Sequence, residues 1–127
     1  IVMQHYDPGV VFNMSWEEYK TGFSSTDSDW IGLSSLHYIT KSSRFKIFIE
    51  MKNPTTNEYL ANGYDNFKID NESTGYRLLS LGNQIRNELD TCLLSDLIGT
   101  SFSTFDNDQD QNDTVNCAAV YGIGWWF

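Results

Sequence analysis

The run Asp106-Asn107-Asp108-Gln109-Asp110-Gln111-Asn112-Asp113-Thr114-Val115-Asn116-Cys117-Ala118 restricts the fold of this chain more than any other segment. Three carboxylates alternate with amides, so hard oxygen donors converge within a few bonds. That is the chemistry calcium takes: about six to eight oxygens from carboxylates, carbonyls and water. Imidazole and thiolate, which transition metals favour, are not clustered here. The segment is not a helix-loop-helix calcium loop. Its sixth position, where the turn glycine belongs, is Gln111, and its twelfth, where a bidentate Glu belongs, is Cys117. The preceding Thr100-Ser101-Phe102-Ser103-Thr104-Phe105 is rich in strand formers. The alternative is a solvated acidic turn, since Asp, Asn and Gln populate exposed loops routinely.

The flanks favour the metal. A Phe-Ser-Thr run precedes the loop, and Asn116-Cys117-Ala118 leads directly into Tyr121-Gly122-Ile123-Gly124-Trp125-Trp126. Upstream stand Trp16-Glu17-Glu18-Tyr19-Lys20-Thr21-Gly22-Phe23, then Trp30-Ile31-Gly32-Leu33 with Leu36-His37 and Thr40, then Tyr64-Asp65-Asn66-Phe67, then Tyr76-Arg77-Leu78 with Leu81-Gly82. In this order the motifs resemble the fibrinogen C-terminal (fibrinogen-related, ficolin- and tachylectin-like) domain over nearly the whole chain. The stretch from Asn83 to Gly99 departs from the family pattern, which has a Gly-rich turn, Asp-Ser-Leu and His-Asn-Gly there.

The resemblance implies an α+β fold: a central antiparallel sheet with short flanking helices and a loop-rich calcium-binding subdomain. It divides the chain into a sheet-and-helix part, about 1–99, and the calcium loop with the start of a recognition subdomain, about 100–127. The side chains of Asp108 and Asp110 and the carbonyls of Asn112 and Thr114 are the implied Ca2+ ligands. Asp106 is expected beyond direct reach of the ion, bonding a metal-bound water. Two carboxylates, two carbonyls and waters make a weak, structural site. Val115 lengthens the stretch to Cys117 by one residue. Tyr121 holds the place of a tyrosine that lines an acetyl-group funnel in lectins of the family. Cys117 is expected to pair with a cysteine beyond this chain; a Cys92–Cys117 bond is the alternative. The implied function is a secreted lectin-like module binding acetylated carbohydrate in innate immunity, oligomeric through regions outside this chain. The alternative is a matrix or receptor-ligand module of tenascin-like or angiopoietin-like type that binds an extracellular protein.

The resemblance also implies a fragment truncated at both ends, without the returning C-terminal strand. On that reading the isolated chain of 127 residues aggregates or forms a loose globule. The strand face of Phe45, Ile47, Ile49 and Met51, and the end Trp125-Trp126-Phe127, would then be thinly covered.

Composition fits one domain or less. With 40% apolar and 15% aromatic residues the chain is too hydrophobic to be disordered. A net charge of −9 argues against nucleic acid and anionic membrane as partners, although acidity also serves solubility alone. No apolar run is long enough for a membrane helix. The sequons Asn13-Met14-Ser15, Asn71-Glu72-Ser73 and Asn112-Asp113-Thr114 are compatible with secretion. His5 and His37 are the only histidines, and no nucleophile elbow, phosphate loop or Cys-x-x-Cys pair occurs. The chain reads as a non-enzyme, with His37 a structural histidine and Trp125 and Trp126 as core.

Local patterns predict several elements. Ser15 and Glu18 form a capping box opening a short helix that ends near Gly22, with Trp16, Tyr19 and Phe23 on one face. Leu33 to Ile39 predicts a second helix. Phe45 to Lys52 alternates as a strand with one buried face, and 53–57 as the turn after it. Ile1–Tyr6 and Val10–Phe12 read as a hairpin turning at Asp7-Pro8-Gly9.

Overall fold

A computed structural model describes residues 1–5, 12–26, 28–53, 55–89 and 94–127. The first helix, α1 (Trp16–Thr21), forms where the capping box predicts. The Ser15 hydroxyl accepts from the Glu18 amide, and the Glu18 carboxylate accepts the Ser15 amide at 2.8 Å. Gly22 ends the helix with φ 99°, which a side chain rarely adopts. A Cβ there would also strike the Trp30 and Ile31 backbone.

Strands β1 (Met3–His5), β2 (Phe23–Ser24) and β3 (Ser28–Trp30) form one antiparallel sheet in the order β1-β3-β2. The expected hairpin turn at residues 7–9 lies outside the described residues. Phe12, expected at the end of a strand, belongs to none. It is buried, and its carbonyl accepts the Tyr19 hydroxyl at 2.6 Å.

Helix α2 (Leu33–Ser42) runs beyond the predicted Ile39 and packs on β5 (Tyr59–Ile69). Leu33, Leu36 and Thr40 form its buried stripe. His37 Nδ1 lies 3.2 Å from the Ile69 carbonyl, a structural placement. Strand β4 (Phe45–Lys52) pairs with β5, which also pairs with β6 (Leu78–Ser80) and β7 (Gln84–Asn87).

The predicted buried face of β4 is only partly so. Ile47 and Ile49 are half-buried against the core, but Phe45 and Met51, at the two ends of the strand where cover runs out, are exposed. On the other face Phe48 is exposed too, its ring lying over Gly63, which leaves no room for a Cβ.

The remaining strands, β8 (Phe102–Ser103) and β9 (Trp125–Trp126), pair with each other around α3 (Cys117–Tyr121). Helices and wholly antiparallel pairings give the α+β architecture expected. One core cluster joins Tyr19, Trp30, Leu33, Phe67, Leu78, Phe102 and Trp126, so it spans both sides of residue 99. The expectation that the final aromatics lie thinly covered is corrected here. Trp126 is 3% exposed, and Trp125 and Phe127 are half-buried. The Trp126 ring stands edge-on to Phe102 at 4.9 Å, so β8 and the core provide the cover. Among the described residues no helix is long and apolar enough to cross a membrane.

Candidate functional site

Asp108, Asp110, Asn112 and Thr114 are tied by successive two-residue steps in which a side-chain oxygen accepts the amide two positions on. Asp108 Oδ1 accepts from the Asp110 amide at 3.4 Å. Asp110 Oδ1 accepts from the Asn112 amide at 2.7 Å. Asn112 Oδ1 accepts the Thr114 amide at 3.0 Å and its hydroxyl at 2.8 Å. Asp110 Oδ2 then closes the loop by accepting the Cys117 amide at 2.7 Å. Asn116 caps α3 with its side-chain oxygen while its Nδ2 donates to the Thr104 and Phe105 carbonyls. The loop is thereby clamped to the start of α3.

Two residues set the loop's position: Asp106, expected to bond a metal-bound water, and Gln109, which the sequence did not single out. Asp106 Oδ1 accepts the Trp16 amide at the start of α1 at 2.9 Å and the Thr104 hydroxyl at 2.7 Å. Its carboxylate is turned to a helix 90 positions away in sequence. Gln109 donates its amide to Ser103 Oγ and its Nε2 to the Phe102 carbonyl. Its side chain packs over Gly75 (φ 64°), where a Cβ would collide with it. The Gly-Tyr pair at 75–76, both at positive φ, then presents two consecutive carbonyls. Gly75 accepts from Phe102 N at 2.7 Å and Tyr76 from Trp126 Nε1 at 2.8 Å.

Partial burial pushes the Asp110 carboxyl up, but the amides of Cys117 and Asn112 outweigh it and hold the group below its usual value. The neighbouring Cys117 thiol is pushed up, first by its hydrogen bond to Asp110 and then by burial. Cys117 makes no disulfide among the described residues, and Cys92 lies outside them.

The donor set suits a hard cation. Asp108 and Asp110 are the carboxylates, and the Asn112 and Thr114 carbonyls accept no hydrogen bond from the described residues. No group of three or more His, Cys, Asp or Glu converges there among the described residues, so any site made from this loop has low ligand charge.

Beyond the loop lies an apolar surface. Tyr121, expected in a funnel wall, is 70% exposed and stacks on Phe127 at 5.8 Å between ring centres. Val120, next to it on α3, is exposed as well, and so are Val115 and Phe105, the last with its carbonyl bonded by Asn116.

The family model for the C-terminal globular domain of fibrinogen beta and gamma chains matches residues 1–127. The chain belongs to the fibrinogen C-terminal domain family. Mouse angiopoietin-related protein 1 is 32% identical over 128 residues, covering 100% of this chain and 25% of that protein. The fruit-fly protein scabrous is 34% identical, covering 99% of the chain and 15% of that protein. Among solved structures, the fibrinogen-like globe domain of human ANGPTL2 superposes with TM-score 0.88 at 30% identity, over 99% of this chain and 56% of that one. Lamprey fibrin D-dimer, complexed with the peptide Gly-His-Arg-Pro-amide, superposes with TM-score 0.79 at 25% identity, covering 100% and 44%. This fibrinogen-related chain thus spans about a quarter of angiopoietin-related protein 1 and little more than half of the solved globe domain.

Proposed function

We propose that the chain is part of an extracellular recognition module that binds a protein ligand, with a weak structural calcium ion fixing loop 106–116. The observation that carries this reading is the exposure of Val120 and Tyr121 on α3, Tyr121 stacked on Phe127, on a helix whose first residue is clamped to the acidic loop. An exposed apolar surface rimmed by charge suits a protein partner, whereas a small acetyl group is held by an enclosed pocket. The relatives point the same way: they are angiopoietin-related proteins and scabrous, and one solved neighbour holds a peptide. They favour the protein-binding alternative of the sequence reading over the acetylated-glycan lectin.

Asp108 and Asp110 with the Asn112 and Thr114 carbonyls are the residues that would hold calcium. So few charges suit a dissociation constant of about 10⁻⁴–10⁻³ M. The ion would supply a fixed loop, keeping the face beside it in one shape.

The test uses the full-length protein. Its binding to intact cells is measured before and after trypsin treatment, with and without N-acetylglucosamine as competitor. Loss after trypsin and indifference to the sugar are expected. Retention on immobilised N-acetylglucosamine that EDTA abolishes would overturn the reading in favour of a lectin.

A further inference from the structure

We propose that Asn71 carries an N-linked sugar chain, rooted on a turn that the fold holds rigid while leaving the attachment atom free. The inference rests on the extracellular reading above, since this modification belongs to secreted chains. Asn71-Glu72-Ser73 is a sequon, and all three of its residues are exposed. The structure accounts for each hydrogen-bonding group of Asn71. Its amide donates to Asp70 Oδ1 at 2.8 Å. Its carbonyl accepts the amides of Thr74 and Tyr76, at 3.2 and 3.0 Å, and the Thr74 hydroxyl at 3.0 Å. Its Oδ1 accepts the Ser73 amide at 2.9 Å and the Ser73 hydroxyl at 2.6 Å, which fixes the plane of the carboxamide. Nδ2 alone donates to nothing among the described residues. In the transfer, Nδ2 bonds to C1 of the first N-acetylglucosamine of a lipid-pyrophosphate-linked oligosaccharide. The C1–oxygen bond to the pyrophosphate breaks, the lipid pyrophosphate leaves, and one Nδ2 proton is lost to a base of the transferase. Every bond that Asn71 makes in the fold survives that exchange.

The root is anchored from several sides. Asn71 caps the 3-10 turn Glu72–Thr74, which Gly75 closes at φ 64°. Glu72 pairs with Lys20 of α1 at 2.8 Å. The Thr74 carbonyl accepts the Ser101 hydroxyl at 3.0 Å, and the Gly75 carbonyl accepts the Phe102 amide at 2.7 Å. A sugar chain on Asn71 thus leaves from a turn bonded to both α1 and the core.

The other two sequons are differently placed. In Asn13-Met14-Ser15 the second and third residues are half-buried. Asn13 also follows directly on buried Phe12, and the Ser15 hydroxyl serves the cap of α1 through Glu18. Asn112 shares with Asn71 the two bonds from its third residue to Oδ1. Its side chain, however, is hydrogen-bonded to Cys117 as well, so attachment there competes with a contact of the acidic loop. At Asn71 nothing competes.

The test takes the full-length protein from a secretory mammalian host. Peptide N-glycosidase F digestion in heavy-oxygen water marks each occupied asparagine by mass. Label at Asn71 in most molecules recovered from the medium is expected. Ser73→Ala, which keeps Asn71 but destroys the sequon, should lose that label and one step of gel mobility, and Ser73→Thr should keep both. The unmodified sequence carries the decision by itself, so a variant that fails to fold does not stall the test. Secreted protein without label at Asn71 overturns the inference, whether or not Asn13 or Asn112 is labelled, and leaves the extracellular reading standing. Retention of the protein in the cytosol overturns the extracellular reading, and the inference with it.

Discussion

The aromatic hub around Tyr19 and the acidic loop 106–116 both hold irregular backbone in place, and they do so by opposite means. In the hub, buried rings carry polar tips that tie the chain together. The Tyr19 hydroxyl donates to the Phe12 carbonyl and accepts the Gly124 amide at 3.0 Å, and Trp30 Nε1 donates to the Tyr19 carbonyl at 2.7 Å. Burial pushes the Tyr19 phenol up to about 12, a rise that the Gly124 amide only partly offsets. In the loop almost nothing is buried, and carboxylates and amides bond the backbone directly. A surface built the second way keeps spare oxygens for an ion or partner; one built the first way keeps none. Stability thus resides in the hub and chemistry in the loop.

The largest test of that division is Trp126→Ala, which removes the ring against Phe102 and the donor to the Tyr76 carbonyl. It is expected to cost about 3–5 kcal/mol in chemical denaturation, and a cost below about 1 kcal/mol would break the assignment of stability to the hub. Tyr19→Phe keeps the ring but leaves the Phe12 carbonyl and the Gly124 amide without their buried partner. A loss of about 1–3 kcal/mol is expected, with no change in calcium affinity. In the loop, Asp106→Ala should cost about 1 kcal/mol, because it unties the loop from α1, and should weaken calcium only slightly. Asp108→Ala should reverse that pattern, with stability unchanged within about 0.5 kcal/mol and calcium binding by titration calorimetry largely lost. Unchanged calcium affinity in Asp108→Ala would sink the ligand assignment.

The mildest effect is confined to acid. The Arg44 side chain, then the Asn83 amide, hold the Asp65 carboxyl at about 2 against an ordinary 3.8. A depressed carboxyl stabilises the fold fully above its unfolded value, and this contribution disappears as pH falls from about 4 to about 2. Melting temperature should therefore fall in that window, and less steeply in Asp65→Asn. Identical acid limbs would show that Asp65 contributes nothing there.

What the sequence disclosed was local. The Ser15–Glu18 box, the Gly22 stop, the stripe of α2 and the alternation of β4 each depend on neighbours a few residues apart. The order of the motifs disclosed the family. Asp106 illustrates what stayed hidden. Its side chain is chemically suited to calcium, and only the fold shows it facing the Trp16 amide. Tyr76 is similar, since nothing in its type announces a backbone at φ 48° with its carbonyl under Trp126. The exposed ends of β4 were misread because alternation reports which side a residue faces, not how far the covering layer extends.

The bond from the Gly124 amide to the Tyr19 hydroxyl joins residues 105 positions apart. At about 5–20 residues per second of synthesis, roughly 5–20 s separate the appearance of the two partners on the ribosome. Through that interval Tyr19, Trp30 and the Phe12 carbonyl wait without the strand that completes their packing. The hub can close only late, so a nascent chain of this kind carries an incomplete aromatic cluster for seconds.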